Sequence, residues 1–234
     1  MKFNVKRDIR RIALPITTVC NRDCPECPAH RKPGEPSHGH VPLDTIQRYG
    51  KTLGHFYRLE VSGGEPTLHP DFPYLAENWH NLFDCDEVHL LTNGRFPDSM
   101  LQYLPLHECV YTTHYNEKFA ARHGGPINTA DVERIRGYLF AYPKVKFWPQ
   151  EMDSHIPIGT GPYSGRCMFG YQRSDMVSVF EDKIYGCCTA WQLPYRGEGI
   201  PVTKDWRDHL GDIELPCGFC FLSGMVNLPE RRTT

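Results

Sequence analysis

The alternation of hydrophobic and polar stretches along the first two thirds of the chain predicts strands separated by helices. Short apolar or alternating segments typical of β-strands occupy residues 10–17, 56–66, 87–94, 109–115 and 144–149. Segments with helical periodicity lie between them, at residues 42–54, 71–83, 99–104 and 129–142. Five β units with intervening helices favour parallel strands joined by crossover connections.

The pattern changes near residue 155. The segment HIPIGTGPYSG is rich in glycine and proline and is typical of a linker. After it, MVSVFEDKIYGCC predicts a β-hairpin, and an irregular tail contains PCGFC. We therefore expect two units, residues 1–155 and residues 156–234.

Composition and charge are those of an ordinary globular protein. Of 234 residues, 40% are hydrophobic and 23% are charged, and the formal net charge is −2. This balance provides no general attraction to nucleic acids or anionic membranes. The apolar runs are too short for a signal peptide or a membrane span. We expect a cytoplasmic protein, and in that reducing compartment its ten cysteines favour metal binding over disulfides, except Cys85 and Cys109, which lack metal-ligand spacing and are expected to be packed residues.

Three of the cysteines stand close together in CNRDCPECP, where Cys20, Cys24 and Cys27 form a C-x3-C-x2-C pattern. A closed structural zinc site needs four ligands, and disulfides need an even number of cysteines. Three thiolates can instead hold three corners of a metal centre and leave a fourth position open for chemistry. A zinc knuckle with His30 as the fourth ligand is the structural alternative.

Glycine-rich or polar segments follow the predicted strands, which is where functional groups gather in parallel sheets and barrels. The cysteine segment follows the first predicted strand, and the segments at the ends of the next four are, in order, SGGEP, TNG, THYNE and PQEMD.

Two of these segments resemble motifs of the radical S-adenosylmethionine (radical SAM) superfamily. The three cysteines match its cysteine loop after the first strand, and SGGEP contains its GGEP motif after the second. The resemblance covers about residues 9 to 149 and implies an α/β fold, a partial (β/α) barrel of five to six parallel strands. Glu26 departs from the family, which usually has an aromatic residue before the third cysteine.

The resemblance also implies cofactors. The three thiolates would hold a [4Fe–4S] cluster with one iron left to chelate SAM. Reductive cleavage of SAM would yield methionine and a 5′-deoxyadenosyl radical that abstracts hydrogen from a substrate. Glycines in the second motif would let the backbone approach SAM closely. The residues implied in SAM binding are Gly63, Gly64, Glu65, Pro66, Asn93 and Thr113.

Three further residues are implied in catalysis or substrate orientation. His114 ends the fourth predicted strand, and Glu151 and Asp153 follow the fifth, where related enzymes orient substrate. The structural alternatives are a packed histidine and an ordinary polar loop. Asn93 has such an alternative too, because Asn-Gly favours turns.

The last third of the chain resembles the twitch domain, a shortened SPASM domain that holds an auxiliary cluster. Asp182 replaces the glycine usual in the family's hairpin, and Cys188 competes with Cys187, which the hairpin register favours. A structural zinc ribbon is the alternative for this tail. The four thiolates implied as ligands of a second, auxiliary [4Fe–4S] cluster are Cys167, Cys187, Cys217 and Cys220.

The resulting hypothesis is a radical SAM oxidoreductase that abstracts hydrogen from a small sugar- or alcohol-type substrate and passes an electron to the auxiliary cluster. A flavodoxin or ferredoxin would serve as electron donor. A radical SAM peptide maturase or nucleotide-modifying enzyme, acting by crosslinking or epimerisation, is the second hypothesis. A zinc-stabilised binding module is the third. We expect no membrane partner, and the acidic balance disfavours nucleic acid.

Overall fold

The structure, a computed structural model, describes residues 8–22, 39–117, 120–121, 127–151, 175–186 and 199–213, with only the backbone of residues 150 and 151. The predictions made for residues outside these ranges stay predictions. Those residues are Cys24, Cys27, Asp153, Cys167, Cys187, Cys188, Cys217 and Cys220.

The described strands form one eight-stranded sheet in the order β5-β4-β3-β2-β1-β6-β7-β8. Strands β1 to β6 are parallel to one another, whereas β7 pairs antiparallel with both β6 and β8. The predicted α/β class with five to six parallel strands is therefore confirmed. The strand bounds are β1 (Arg11–Thr17), β2 (Phe56–Gly63), β3 (Cys85–Thr92), β4 (Cys109–His114), β5 (Lys146–Glu151), β6 (Met176–Phe180), β7 (Lys183–Tyr185) and β8 (Ile200–Pro201).

Three α-helices lie at the predicted positions, and none of the helices in the described ranges is long and apolar enough to cross a membrane. The helix predicted over residues 99–104 is instead a 3₁₀ segment, because Pro105 inside it lacks an amide hydrogen and disfavours α-helix before it. The helices are α1 (Leu43–Leu53), α2 (Phe72–Leu82) and α3 (Thr129–Leu139), with 3₁₀ segments at Pro66–Leu68, Asp98–Leu106 and Trp206–Asp212.

The two faces of the sheet differ in polarity. From β1 to β5 the strand order follows the chain, so the crossover helices cover the same face. That face contributes Leu59, Val61, Val88, Leu90 and Val110 to the apolar core. Side chains alternate along a strand, and the alternate residues between them are polar. We call the polar face the set Arg58, Glu60, Glu87, His89 and Tyr111.

The hairpin predicted after residue 175 is present as β6 and β7, and it belongs to the main sheet. β6 pairs in parallel with β1, with Arg11 opposite Met176. The predicted unit boundary near residue 155 lies outside the described residues and stays a prediction. The hairpin assigned to the second unit nevertheless shares a continuous sheet with the first.

Candidate active site

The carboxyl ends of β1 to β4 meet at one edge of the sheet, which we call the carboxyl edge. Four of the segments expected to carry function lie at these strand ends: the cysteine segment, SGGEP, TNG and THYNE. The structure thus brings together the sequence-predicted residues Cys20, Gly63, Gly64, Glu65, Pro66, Asn93, Thr113 and His114.

Glu65 ties the segment after β2 to the segment after β3. Its side chain is fully buried, and Oε1 accepts hydrogen bonds from the Thr67 amide (3.2 Å), the Thr67 hydroxyl (2.7 Å) and the Thr92 hydroxyl (2.8 Å). Oε2 accepts one from the Asn93 amide at 2.6 Å. Burial raises the pKa of this carboxyl, and the hydrogen bonds from Asn93, Thr67 and Thr92 oppose that rise. The buried Glu65 carboxylate therefore holds the segments after β2 and β3 together.

Gly63 and Gly64 pack against the backbone that leads from β1 into the cysteine segment. The Gly64 amide donates to Thr17 O and the Glu65 amide donates to Val19 O, both at 2.8 Å. An added Cβ would lie 2.2 Å from Thr17 O at Gly63 and 2.3 Å from Val19 O at Gly64. The close approach of the chain's own backbone is thus one reason for glycine at both positions, and the expected approach to SAM stays a prediction.

Cys20 lies half-buried at this junction, with donors directed at its sulfur. Asn93 Nδ2 donates to Cys20 Sγ at 3.3 Å and to Asn21 Oδ1 at 3.0 Å. Burial raises the pKa of the Cys20 thiol, and the backbone amide of Arg22 and the hydrogen bond from Asn93 lower it. Asn93 thus contacts the first cysteine in addition to standing in an Asn-Gly turn.

Asn128, which sequence reasoning missed, links the segments after β3 and β4. Its Nδ2 donates to Thr113 O at 2.6 Å and to Asn93 O at 3.3 Å, while its Oδ1 accepts from the Tyr115 amide at 2.7 Å. The available signal was its place just before helix α3, which is typical of an N-cap. Its side chain does not cap that helix and serves the neighbouring segments instead.

Arg22, also missed, anchors the cysteine segment to α3. Its side chain is buried and forms an ion pair with Asp131. No sequence signal marks an arginine between Cys20 and Cys24 as buried, so this contact required the structure.

His114 and Glu151 are neighbours across β4 and β5, where their backbones pair. The His114 Nε2 lies 3.2 Å from the Thr129 hydroxyl at the start of α3. The catalytic roles of His114, Glu151 and Asp153 stay predictions.

The residues present fit an iron–sulfur ligand set as far as the structure describes it. Within the described ranges no group of three or more His, Cys, Asp or Glu side chains could hold a metal, and Cys24 and Cys27 lie outside them. Cys20 has the surroundings expected of a cluster ligand, because amide hydrogen bonds to a ligating sulfur stabilise the thiolate and tune a cluster.

Comparison with known proteins decides the family. A model of the radical SAM superfamily matches residues 14–130, which is half of the chain. The chain belongs to the radical SAM superfamily. A [4Fe–4S] cluster and SAM are the cofactors that this family implies, in agreement with the donors around Cys20.

Curated relatives resemble less than half of this radical SAM chain. It is 33% identical over 107 residues to the "Probable GTP 3′,8-cyclase" of Methanococcus maripaludis strain C5, covering 44% of the chain and 35% of that relative. It is 33% identical over 95 residues to the GTP 3′,8-cyclase of Mannheimia succiniciproducens, covering 38% of the chain and 27% of that relative. The chain thus matches only about a third of the relatives' own length.

A solved structure extends the likeness of fold over most of the radical SAM chain. The selenomethionine form of BtrN in an open conformation aligns with a TM-score of 0.52, 16% identity, and coverage of 92% of this chain and 88% of that one. At this identity the likeness shows the fold alone.

Proposed function

We propose that this radical SAM chain is an enzyme that cleaves SAM at the carboxyl edge and abstracts hydrogen from a small sugar- or alcohol-type substrate. The observation that carries the SAM-cleaving part of the proposal is the hydrogen-bonded unit of Cys20, the Glu65 loop and Asn93. When bound, the cluster and SAM supply a 5′-deoxyadenosyl radical.

The residues of this unit divide the work of holding the cofactors. Cys20, with Cys24 and Cys27, holds the cluster, and the segment from Gly63 to Pro66 positions SAM. Asn93 donates to the sulfur of Cys20 on one side and is held by Glu65 on the other. This arrangement holds Cys20, the Glu65 loop and Asn93 in place before any ligand arrives, which favours binding because these residues need little further ordering.

The net oxidation requires an electron acceptor, and we assign that role to an auxiliary [4Fe–4S] cluster in a twitch-like unit formed by residues 156–234. Its ligands are Cys167, Cys187, Cys217 and Cys220. The support is their sequence order, together with the hairpin β6–β7 that precedes Cys187.

The proposal is tested by substituting Cys20, with Cys85 as a matched control. Cys85 begins β3 at the opposite end of the strand from the carboxyl edge and packs against the apolar core, away from the cysteine segment. After anaerobic reconstitution, we expect Cys20→Ala to lose about four irons and to form no 5′-deoxyadenosine with SAM and dithionite. Cys85→Ala should keep both properties. Continued 5′-deoxyadenosine formation by Cys20→Ala would refute the assignment.

A nucleotide substrate is the second candidate, and the matching relatives favour it. They are named as a probable GTP 3′,8-cyclase and a GTP 3′,8-cyclase, and they are 33% identical to this chain over 107 and 95 residues. GTP that stimulates 5′-deoxyadenosine formation, with consumption of GTP and no response to sugar alcohols, would replace the alcohol hypothesis.

A further inference from the structure

The polar face carries a hydrogen-bonded group away from the predicted site residues. The strand register places Arg58 opposite Glu87 and Glu60 opposite His89, and Tyr111 follows on the next strand. His89 stands four residues before Asn93, which is about 13 Å along the strand at ~3.3 Å per residue. The group thus lies below the carboxyl edge, on the face that the crossover helices leave uncovered.

Glu87 is the centre of this group and fixes the tautomer of His89. The Glu87 carboxylate accepts hydrogen bonds from the Tyr57 hydroxyl (2.8 Å) and from Arg58 Nη2 (3.1 Å). His89 Nε2 lies 2.9 Å from Glu87 Oε2. A carboxylate can only accept, so Nε2 carries the proton and Nδ1 is left with a lone pair.

The lone pair of His89 Nδ1 has no partner among the described residues, although the atom is buried. The His89 side chain is 4% exposed, and the Tyr111 ring lies against it with the ring centroids 5.6 Å apart. Burial lowers the pKa of His89, as does the nearby Arg58, which favours the neutral ring. A buried acceptor without a donor is destabilising, because its hydrogen bond to water has been lost and not replaced. An arriving O–H group would remove that destabilisation.

The neighbouring charges favour a neutral ligand over a phosphate. Arg58 is held by Glu87, and Arg11 on β1 is held by both oxygens of Asp175 at 2.6 and 3.0 Å. These two guanidinium groups are already committed to carboxylates, so neither is preorganised to bind a phosphate at this place.

We propose that His89 Nδ1 accepts a hydrogen bond from a hydroxyl group of the substrate. Glu87 and Tyr111 are positioning residues, since Glu87 sets the tautomer and Tyr111 sets the ring plane. The inference rests on the proposed function for the class of substrate. It adds His89 as a substrate-binding residue distinct from the predicted residues His114 and Glu151.

The test observes the imidazole nitrogens of the holoenzyme directly. Protein labelled with ¹⁵N in its histidine rings is examined by long-range ¹H–¹⁵N correlation, with SAM and with myo-inositol, ribose or glucosamine as probes. We expect the Nε2–H tautomer at His89 and a shift of Nδ1 towards hydrogen-bonded values with at least one probe. The hexamethyl ether of myo-inositol has no O–H donor and should give no shift.

His107 is the internal control for the titration. It is equally buried on the helix-covered side, where its Nε2 accepts from Trp79 Nε1 at 3.3 Å and its Nδ1 lies 3.1 Å from Tyr103 O. Its signals should not move with any probe. If no probe moves His89 Nδ1, or if the methyl ether moves it equally, the proposal is overturned.

Variants provide an independent measurement. His89→Asn keeps an acceptor near the position of Nδ1, whereas His89→Phe keeps a ring against Tyr111 without one. We expect His89→Phe to weaken binding of the responding probe about tenfold relative to His89→Asn. Equal affinities would contradict the proposal. Wild-type protein that shifts at His89 but forms no 5′-deoxyadenosine would instead refute the proposed function and leave the His89 assignment standing.

Discussion

Gly64 connects the two motifs through the chain's own backbone. Its Cα faces the carbonyl groups of Thr18 and Val19, immediately before Cys20. A side chain there would push the start of the cysteine segment away from the β2 loop. Under the proposed function, this one backbone contact therefore serves both cluster binding and SAM binding.

For this reason Gly64→Ala should impair iron binding as well as SAM binding. The added Cβ would lie 2.3 Å from Val19 O, a backbone atom that cannot turn aside. Gly137→Ala is the matched control, because Gly137 is exposed on α3 with no atom near its Cβ direction. That variant should bind normally and gain up to about 1 kcal/mol of stability from helix propensity. Iron analysis, SAM titration and thermal melts make the comparison. Normal iron and SAM binding by Gly64→Ala would contradict this account.

Residue identities at the carboxyl edge were predictable where a motif marks them, and their contacts were not. Cys20, Gly64 and Glu65 stand in motifs, so their place after a strand could be predicted. The burial of Glu65 beneath the loop depends on Thr92, 27 residues away. The role of Asn128 depends on two carbonyl groups from other segments. Such long-range contacts leave no local pattern.

At the scale of elements, the hairpin β6–β7 joins the sheet through β1 and is tied to α1. Its turn contains Glu181 (φ 49°) and Asp182 (φ 61°), both in the left-handed region. The Asp182 carboxylate accepts from Arg48 Nη2 at 2.6 Å and from the Tyr49 hydroxyl at 2.9 Å. Asp182 therefore combines a turn conformation with a contact to the first helix.

Two substitutions at Asp182 separate these contributions. Asp182→Gly removes the side-chain contacts but suits the positive φ, whereas Asp182→Ala removes the contacts and keeps the strain. The Tyr49 hydrogen bond should contribute about 1–2 kcal/mol, and the exposed Arg48 pair little. We expect Asp182→Ala to be less stable than Asp182→Gly by about 1 kcal/mol, as measured by denaturant unfolding. Equal stabilities would show that the turn conformation is unstrained.

The element bounds followed from the sequence because periodicity is a local property, and the predicted strands and helices differ from the observed ones by at most a few residues. The partner of the hairpin did not follow from the sequence. β6 pairs with β1 although β2 to β5 lie between them in the chain, and Arg11 bonds to Asp175, which is 164 positions away. Hydrophobic alternation indicates a strand without indicating which edge it joins.

At the scale of the whole molecule, the family match and the continuous sheet do not end at the same place. The superfamily model ends at residue 130, whereas the sheet continues through β5, β6, β7 and β8. The matches to the two curated relatives cover 44% and 38% of the chain. The fold and the cofactor class are those of the family, and neither determines the substrate or the net reaction, which depend on the side chains of a particular site.

The tail cysteines decide between oxidation with an auxiliary cluster and a structural metal site. If Cys167, Cys187, Cys217 and Cys220 hold a second [4Fe–4S] cluster, the reconstituted chain should bind about eight irons. Cys187→Ala should then lose the second cluster while SAM cleavage survives at the Cys20 site, and Cys188→Ala should keep both clusters. Iron content, cluster spectra and thermal melts on the two variants measure this. Loss of the second cluster in Cys188→Ala alone would show that Cys188, and not Cys187, is the ligand. Zinc in place of iron after anaerobic isolation would overturn the electron-acceptor role. In that case Cys187→Ala should chiefly lower stability, because metal binding is coupled to folding.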